Sequence, residues 1–342
     1  MFVRGQLFGC AVHVGTGSWG QLMTTVAMRL VTRDYMQVEP LARREVVPAG
    51  IDLTIDRSVP MTVFTQDPAV PAGEMSFAQY VRRVAAGERD IVGLPLFVMR
   101  GFRQRCFFVR EDSNLSRLEE LAGKRVGTNG WPDSGNTWSR SLIRDAGIDI
   151  DQIEWWVGPT EDVKAKRMTA AELPEDVRPI ADGTTLVEML TRGDLDAIMV
   201  PWPPKAFAGG TGPIRRLLPD FRAAELEYAR RVGFWPGLHI VGIRRSVLDE
   251  HPWVAASLSD AFDRAWRLTA DRLHVWVDST PWLQDDLEQI GAMVGPDWQA
   301  HGVEANRQMI EMFCAELLAQ RIIPRPVTVE DLFGEFSRLR SA

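Results

Sequence analysis

Alternation of strand-like and helix-like segments along the middle of the 342-residue chain is the feature that most limits its fold. Short apolar runs typical of buried strands alternate with stretches whose apolar residues have helical spacing. The predicted segments are strands at 90–98 and 105–110, a helix at 116–122, a strand at 124–128, a helix at 137–146, a strand at 152–157, a helix at 186–193 and a strand at 196–200. This order predicts a parallel α/β sheet with helices on both faces.

The C-terminal part has a different pattern, because it is helical from His251 onward. Its helices are predicted at 252–273, 283–294, 303–319 and 329–339. A chain of 342 residues is long enough for two domains. We therefore predict two α/β blocks followed by a helical tail.

Composition excludes several classes of function. A net charge of −7 argues against a nucleic-acid-binding protein, which needs a basic face. No segment approaches the roughly 18 apolar residues that span a membrane. The three cysteines form no CxxC pair and the five histidines no HxxxH pair, so neither a disulfide framework nor a metal site is predicted. No cofactor is expected, and a weak divalent cation held by carboxylates of both blocks stays open.

Residues 1–20 are interpreted as an N-terminal extension. Leu7–Cys10 looks like a lipoprotein cleavage box, but no apolar stretch precedes it. Gly15, Gly17 and Gly20 match a dinucleotide-binding pattern, but they precede a strand instead of following one. Neither a signal peptide nor a nucleotide site is predicted, and we expect a cytoplasmic protein.

Three arginines, Arg100, Arg103 and Arg105, lie at the turn between two predicted strands. A guanidinium group presents a planar fork that matches a carboxylate, so this turn is a candidate site for a small anion. The alternatives are a solvated turn and ion pairs with helix carboxylates. Arg105 is expected to point away from the other two, because it flanks the start of the second strand together with Arg103.

Tryptophan is unusually frequent, with twelve residues against three tyrosines. Trp131 and Trp202 lie in predicted loops at the carboxyl ends of strands, where parallel α/β sheets bind ligands. Tryptophans in such loops can line a flat pocket of aromatic size.

Several short stretches of the chain form a recognisable set: VVPAGIDL at 46–53, EMSFAQY at 74–80, PLFVMRGFR at 95–103, GKRVG at 123–127, WSR at 138–140, GDLDA at 193–197, ELEYARRVGFWPGLH at 225–239, HPWVA at 251–255, GVEAN at 302–306 and DLF at 331–333. With these stretches the chain resembles the 4,5-dihydroxyphthalate decarboxylase family, from about Leu22 to Phe336. Together they are specific, whereas GKRVG and GDLDA alone occur widely among binding proteins.

The resemblance implies a type 2 periplasmic binding protein-like fold, with two α/β lobes around an interdomain cleft and a helical C-terminal tail. Lobe 1 would comprise residues 21–112 and 236–342, and lobe 2 residues 113–235. The implied activity is decarboxylation of a hydroxylated aromatic carboxylate without a cofactor. The implied partner is the aromatic substrate, with neither nucleic acid nor membrane, and a homo-oligomer is compatible with the family.

Such a decarboxylation needs groups that hold a carboxylate and groups that move protons. Arg100 and Arg103 are the first candidates for holding the carboxylate. Arg140 is their candidate partner from lobe 2, and the alternative is that it lies on a solvated helix face. His239 is the candidate proton shuttle, because imidazole titrates near neutrality, and the alternative is a core histidine. Glu74 is the candidate base for the phenol, or else a carboxylate placed near a helix N-terminus.

The remaining candidates would bind the ring and the ligand oxygens. Ser76 can donate to a ligand, although an N-cap for the helix predicted at 76–87 is favoured. Trp131, Trp138 and Trp202 are assigned to substrate binding, the first and last as walls for the ring. All of these assignments rest on the expected cleft between the lobes.

The chain departs from the family at several positions. Gln104 stands where the family has a histidine, Asn129–Trp131 replaces a Pro-Glu-Tyr-like loop, and Val232 replaces a threonine. The departures leave the substrate and the proton donor open. Because the same fold also serves transport, the competing function is a solute-binding protein that delivers a small anionic or aromatic ligand to an ABC transporter.

Overall fold

The computed structural model describes residues 25–165, 167–275, 281–295 and 297–341, so the extension predicted at 1–20 lies outside the described residues. The strands of this part are β1 Val26–Val31, β2 Ile51–Asp56, β3 Ala72–Ser76, β4 Ile91–Arg100, β5 Phe107–Arg110, β6 Arg125–Thr128, β7 Glu154–Val157, β8 Val177–Pro179, β9 Ala197–Met199, β10 Ile214–Arg216 and β11 Gly237–Arg244. The α-helices are α1 Glu39–Ala42, α2 Thr62–Gln66, α3 Phe77–Ala85, α4 Ser134–Asp145, α5 Leu186–Arg192, α6 Phe221–Val232, α7 Arg245–Glu250, α8 Val254–Val275, α9 Leu283–Val294, α10 Arg307–Ala319 and α11 Val329–Ser341.

The first sheet has five strands in the order β2-β1-β3-β11-β4. Strand β1 runs parallel to β2 and β3, as the alternation of strands and helices predicts. Strand β11 is inserted between β3 and β4 and runs antiparallel to both. The sheet is therefore mixed, and one of its interior strands comes from a distant part of the chain.

The second sheet has six strands in the order β10-β5-β9-β6-β7-β8. Its parallel part is β9-β6-β7-β8, whereas β5 is antiparallel to both β9 and β10. The lobe boundary at residue 112 stays a prediction, but β5, which precedes it, pairs within the second sheet.

The chain crosses between the two sheets twice, and the two crossings lie side by side. It leaves the first sheet after Arg100 and returns to it at Gly237. The amide of Gly101 donates to the carbonyl of Pro236 at 3.0 Å, which joins the outgoing and incoming segments. The turn that contains the three arginines is thus part of the connection between the lobes.

The C-terminal helices pack on the first sheet. Leu258 and Phe262 of α8 share an apolar core with Leu94 of β4. The ring of Phe313 in α10 stacks on that of Phe77 in α3, with centroids 5.0 Å apart. None of the described helices is long and apolar enough to cross a bilayer. The predicted helical tail therefore completes the first lobe.

Candidate active site

Neighbouring strands β3 and β11 bring Glu74 and His239 together. The antiparallel register pairs Glu74 with Val241 and His239 with Ser76, so the two side chains are diagonal neighbours on one face of the sheet. Nδ1 of His239 lies 2.5 Å from Oε1 of Glu74. The carboxylate is fully buried, while the imidazole keeps 13% of its side-chain surface exposed. The two titratable groups chosen from the sequence thus form one pair.

The Glu74 carboxylate accepts three further hydrogen bonds. Oε2 accepts from Thr32 Oγ1 at 2.9 Å and from the amide of Arg33 at 2.8 Å, and Oε1 accepts from the hydroxyl of Tyr35 at 2.7 Å. Burial raises the pKa of Glu74, but the hydrogen bond and charge of His239, with the bonds from Arg33 and Tyr35, outweigh it and lower this pKa to about 2. Glu74 is therefore ionised, and its lone pairs are engaged.

This environment changes the role predicted for Glu74. A base must have a free lone pair and a pKa near the working pH, and the buried carboxylate has neither. An ionised carboxylate at Nδ1 instead fixes the orientation of the His239 ring. Nδ1 donates to Glu74, which leaves Nε2 as the nitrogen that can exchange a proton with a ligand.

The lowered pKa of Glu74 makes acid stability measurable as a test of this pair. A carboxylate with a folded pKa below its unfolded value stabilises the fold above the unfolded pKa and loses that contribution as pH falls through the folded pKa. We expect the free energy of unfolding to fall between pH 4.5 and about 2 by about 2 to 4 kcal/mol. Glu74→Gln should lack this component and be less stable at neutral pH.

Denaturant unfolding of both proteins at a series of pH values measures this difference. Glu311→Gln, on an exposed position of α10, is the matched control and should follow the wild-type profile. An unchanged acid slope in Glu74→Gln would contradict the ionised, hydrogen-bonded state of Glu74.

The cleft cavity lies where the two crossings meet α6 and α9, and its volume is about 520 Å³. Its lining includes Met99 to Arg103, Trp235, Leu238 and residues of α9. His239 follows Leu238 in the chain and pairs with Met99 of β4, and both of these neighbours line the cavity, whereas His239 and Glu74 are not among its lining residues. A cavity of this size admits a substituted benzene ring.

Arg103 supplies a buried positive charge to the cleft cavity. Its side chain lines the cavity and the residue is only 6% exposed. Nε donates to Ser139 Oγ at 3.2 Å. Nη2 packs against Gly135, and a Cβ atom placed on that glycine would lie 3.0 Å from it. Among the described residues no carboxylate lies within ion-pairing distance of this guanidinium. Arg103, at the first turn of α4, therefore offers its charge to a ligand anion.

Ser76 contacts the other lobe. Its Oγ lies 2.8 Å from Oγ of Ser134, the first residue of α4. Ser134 Oγ also accepts from the amide of Ala78, so the N-terminus of α3 is capped by a residue of α4. Ser76 occupies the N-cap position of α3, but its side chain makes no capping bond. The favoured capping role of Ser76 is thus performed by Ser134.

Arg100 lines the cleft cavity, but its guanidinium is used inside the protein. Nη1 donates to the carbonyl of Trp235 at 2.9 Å, and Nη2 donates to the carbonyl of Ala300 at 3.0 Å and to Asn306 Oδ1 at 2.7 Å. Burial lowers the pKa of Arg100 to about 9. Arg100 therefore holds the C-terminal tail against the crossing. Its partners are neutral protein oxygens, so it matches neither the predicted anion-binding role nor the alternative of an ion pair with a helix carboxylate.

The structure does not bring Arg140, Trp131 and Trp138 to the cleft cavity. Arg140 is fully buried, donates to Gln320 Oε1 at 2.9 Å and to the carbonyl of Trp131 at 2.6 Å, and stacks over the Trp131 ring at 4.0 Å. Trp138 Nε1 donates to the carbonyl of Gly237 at 3.0 Å. These side chains hold α4 against the tail and β11.

The structure also defines the contacts and exposure of Trp202, Arg105 and Gln104. Trp202 lies at the rim of the cleft cavity and is 63% exposed. Arg105 lines the cavity, but Glu225 neutralises it in a bidentate ion pair. Gln104 is buried, and its Oε1 accepts from the amide of Arg103 at 3.2 Å. It lines a separate depression beside Tyr228, so the residue that replaces the family histidine does not face the cleft.

The sequence analysis missed the groups around Glu74. Thr32, Arg33 and Tyr35 follow β1 at its carboxyl end, the edge at which a parallel sheet binds ligands. A polar run directly after a buried strand was the signal that could have identified them. The described residues bring together no group of three possible metal ligands of the His, Cys, Asp or Glu type.

The fold is that of the periplasmic binding proteins. The periplasmic aliphatic sulphonate binding protein SsuA from Escherichia coli is similar, with a TM-score of 0.51, 14% identity and coverage of 90% of this chain and 91% of that chain. Residues 48–199 match the family model described as NMT1/THI5 like. The two-lobed fold predicted from the sequence is confirmed.

Curated sequences give the more particular likeness. The chain is 26% identical to 4,5-dihydroxyphthalate decarboxylase of Comamonas testosteroni over 322 residues, which are 91% of this chain and 97% of that protein. It is also 26% identical to 4,5-dihydroxyphthalate decarboxylase of Pseudomonas putida over 219 residues, 62% of this chain and 85% of that protein. The resemblance to the 4,5-dihydroxyphthalate decarboxylase family is therefore confirmed.

Proposed function

We propose that this protein decarboxylates a hydroxylated aromatic carboxylate of the 4,5-dihydroxyphthalate type. The observation that carries the proposal is the His239–Glu74 pair, whose neighbours Met99 and Leu238 line a cavity of ring size together with Arg103, a residue without an ion-pair partner among the described residues. The names of the two similar decarboxylases support the reaction class. The reaction needs no redox cofactor, because the aromatic ring itself takes up the electron pair of the broken bond.

In the proposed mechanism the ring lies in the cleft cavity with a carboxylate on Arg103. His239 transfers its Nε2 proton to the ring carbon that bears the leaving carboxylate, while a ring hydroxyl releases its proton to water. The intermediate is a dienone. The carbon–carbon bond then breaks, carbon dioxide leaves, and the electron pair restores the aromatic ring as a phenolate. The phenolate and His239 each regain a proton from water, so one proton is consumed for each carbon dioxide released.

Glu74 acts on this mechanism through His239. Its carboxylate holds the imidazole ring in one orientation during proton transfer. Tyr35 and Thr32 in turn hold the carboxylate. Apolar neighbours such as Phe102 and Leu238 line the cavity, and loss of the carboxylate charge is easier where water is scarce.

The competing function is binding of an aromatic anion without chemistry. Its support is the fold, which is shared with a sulphonate-binding protein. Arg103 would bind an anion equally well in either case. The His239–Glu74 pair favours the enzyme, because binding an anion requires no proton-transfer group.

The test incubates the purified full chain with 4,5-dihydroxyphthalate, singly hydroxylated phthalates and phthalate, and follows carbon dioxide release and ring absorbance. We expect carbon dioxide from at least one hydroxylated acid and none from phthalate, which lacks the hydroxyl that the mechanism needs. Tight binding across the whole panel without carbon dioxide release would reject the decarboxylase and leave the solute-binding function.

A further inference from the structure

Arg33 places an unpaired guanidinium group beside the His239–Glu74 pair. The residue follows β1, and its backbone amide is one of the donors to Glu74. Its side chain is exposed, and Nη1 donates to Sδ of Met99 at 3.5 Å. A thioether is only a weak acceptor, and among the residues that the structure describes no carboxylate lies within ion-pairing distance of this guanidinium. The group therefore keeps its charge and most of its N–H donors for a ligand.

Met99 connects Arg33 with both the cleft cavity and His239. It lines the cavity, and it is the residue of β4 that pairs with His239 of β11. Arg33 is not itself a lining residue, but its Nη1 contacts the Met99 sulfur. A ring that extends past Met99 toward His239 therefore comes within reach of the Arg33 guanidinium.

A phenol oxygen of the protein already lies near this guanidinium. The pKa of Tyr35 is raised by burial and by Glu74, whereas the charge of Arg33 acts in the opposite direction. Tyr35 stays protonated because it is buried and donates to Glu74 at 2.7 Å. The hydroxyl of a ligand does not face that carboxylate, so the same guanidinium favours its ionised form.

The proposed reaction leaves one negative charge without a partner. Arg103 holds a carboxylate and His239 donates a proton to the ring, but neither faces the ring hydroxyl that ionises. Hydrogen bonds from a cation to an oxyanion are roughly twice as strong as bonds between neutral groups. A guanidinium at the phenolate oxygen would therefore favour the step in which the hydroxyl loses its proton.

We propose that Arg33 forms a phenolate subsite, in which its guanidinium binds the ionised ring hydroxyl of the aromatic acid. The hydroxyl proton goes to water, and the phenolate oxygen accepts hydrogen bonds from the guanidinium. The subsite rests on the proposed function for its ligand class. It selects acids that carry a hydroxyl over acids that lack one.

The probe for the test is 3-hydroxy-4-nitrobenzoate. Its nitro group brings ionisation of the phenol close to neutral pH and gives the phenolate a visible absorbance. Its hydroxyl is meta to the carboxylate and cannot feed electrons into the carbon that bears it, so the probe is not decarboxylated. In 4,5-dihydroxyphthalate the hydroxyl para to one carboxylate is likewise meta to the other.

Titration of the complex between the full chain and the probe, followed by absorbance, measures the pKa of the bound phenol. An opposite charge within about 4–6 Å lowers the pKa of an acid by about 1–3. We therefore expect the pKa of the bound phenol to lie at least about 1 lower in the wild type than in Arg33→Met. Arg33→Lys keeps a positive charge and should retain part of the effect.

A second ligand, 4-nitrobenzoate, lacks only the hydroxyl and separates a phenolate contact from a carboxylate contact. At a pH at which the free probe is ionised, Arg33→Met should bind the probe at least about 10-fold more weakly than the wild type does. Its affinity for 4-nitrobenzoate should stay within about 3-fold of the wild type. Equal losses for both acids would show that Arg33 holds the carboxylate, and would overturn the phenolate subsite.

Arg29→Met is the matched control, because Arg29 lies on β1, is paired with Asp56 and does not line the cleft cavity. It should keep the wild-type pKa of the bound phenol. The backbone amide of residue 33 is present in every variant, so its bond to Glu74 is retained. Melting curves check the fold, and if Arg33→Met does not fold, Arg33→Gln provides the comparison.

The outcomes separate the subsite from the reaction. A wild type that does not bind the probe, or the same phenol pKa in the wild type and in Arg33→Met, would overturn the subsite whether or not any acid is decarboxylated. A lowered phenol pKa that depends on Arg33, in a protein that decarboxylates nothing, would support the subsite and reject only the proposed reaction.

Discussion

Replacing His239 by asparagine is expected to lower kcat by about two to four orders of magnitude, the usual contribution of a positioned acid–base group. Asparagine approximates the shape of the imidazole and can still donate to Glu74, but its amide cannot transfer a proton near neutral pH. KM should change little, because in the proposed mechanism Arg103 and not His239 holds the carboxylate. Steady-state kinetics with the best hydroxylated acid of the panel measure both constants.

The matched control is His251→Asn, which makes the same substitution at a histidine between α7 and α8, outside the cleft cavity. It should keep the wild-type kcat. Wild-type turnover in His239→Asn would show that another group protonates the ring. A parallel loss of kcat in the control would attribute the effect to altered folding instead of proton transfer.

Replacing Arg103 by lysine should weaken binding of the aromatic acid about 10- to 100-fold, or ~1.5–3 kcal/mol. Lysine keeps the charge but lacks the planar fork and the Nε donor that holds Ser139, so it cannot keep two directed bonds at the first turn of α4. The dissociation constant of phthalate, measured by calorimetry, reports this loss without interference from turnover.

Arg222→Lys is the control for this change, since Arg222 also lines the cleft cavity but already contacts Asp286 at 2.5 Å. Its phthalate affinity should stay within about 3-fold of the wild type, because exposed ion pairs contribute little. If Arg103→Lys binds phthalate as tightly as the wild type, the anion is held elsewhere in the cleft. Melting curves of both variants show whether the fold is intact.

The lobes were predictable because parallel α/β units leave a strong pattern in sequence. The insertion of β11 was not, since nothing in the stretch 237–244 states which strands will flank it. Glu74 and His239 were chosen separately as titratable groups, yet they are 165 residues apart and meet only through that insertion. The predicted role of Glu74 as a base was also wrong because of distant contacts, since its other hydrogen-bond donors come from the segment that follows β1.

Burial explains the positions at which side-chain assignments failed. Helix α4 packs against α10 and β11 as well as its own lobe, so Arg140 and Trp138 are enclosed on a helix that looks one-sided in sequence. Arg100 and Arg103 look equivalent in sequence, but the tail returns over Arg100 alone and occupies its fork. Such differences depend on contacts between distant segments, which local periodicity does not encode.

The position of β11 between β3 and β4 also has a consequence for the order in which the sheet can form during synthesis. A nascent chain that has not yet reached Gly237 has β3 and β4 without the strand that joins them, and each presents an unpaired edge. Open edges and uncovered apolar faces promote self-association, so we expect the unfinished first lobe to be prone to it while the second lobe is being made. When β11 enters, it closes the sheet and delivers His239 to Glu74 in the same step, so a chain that stalls before it has neither a finished lobe nor the pair.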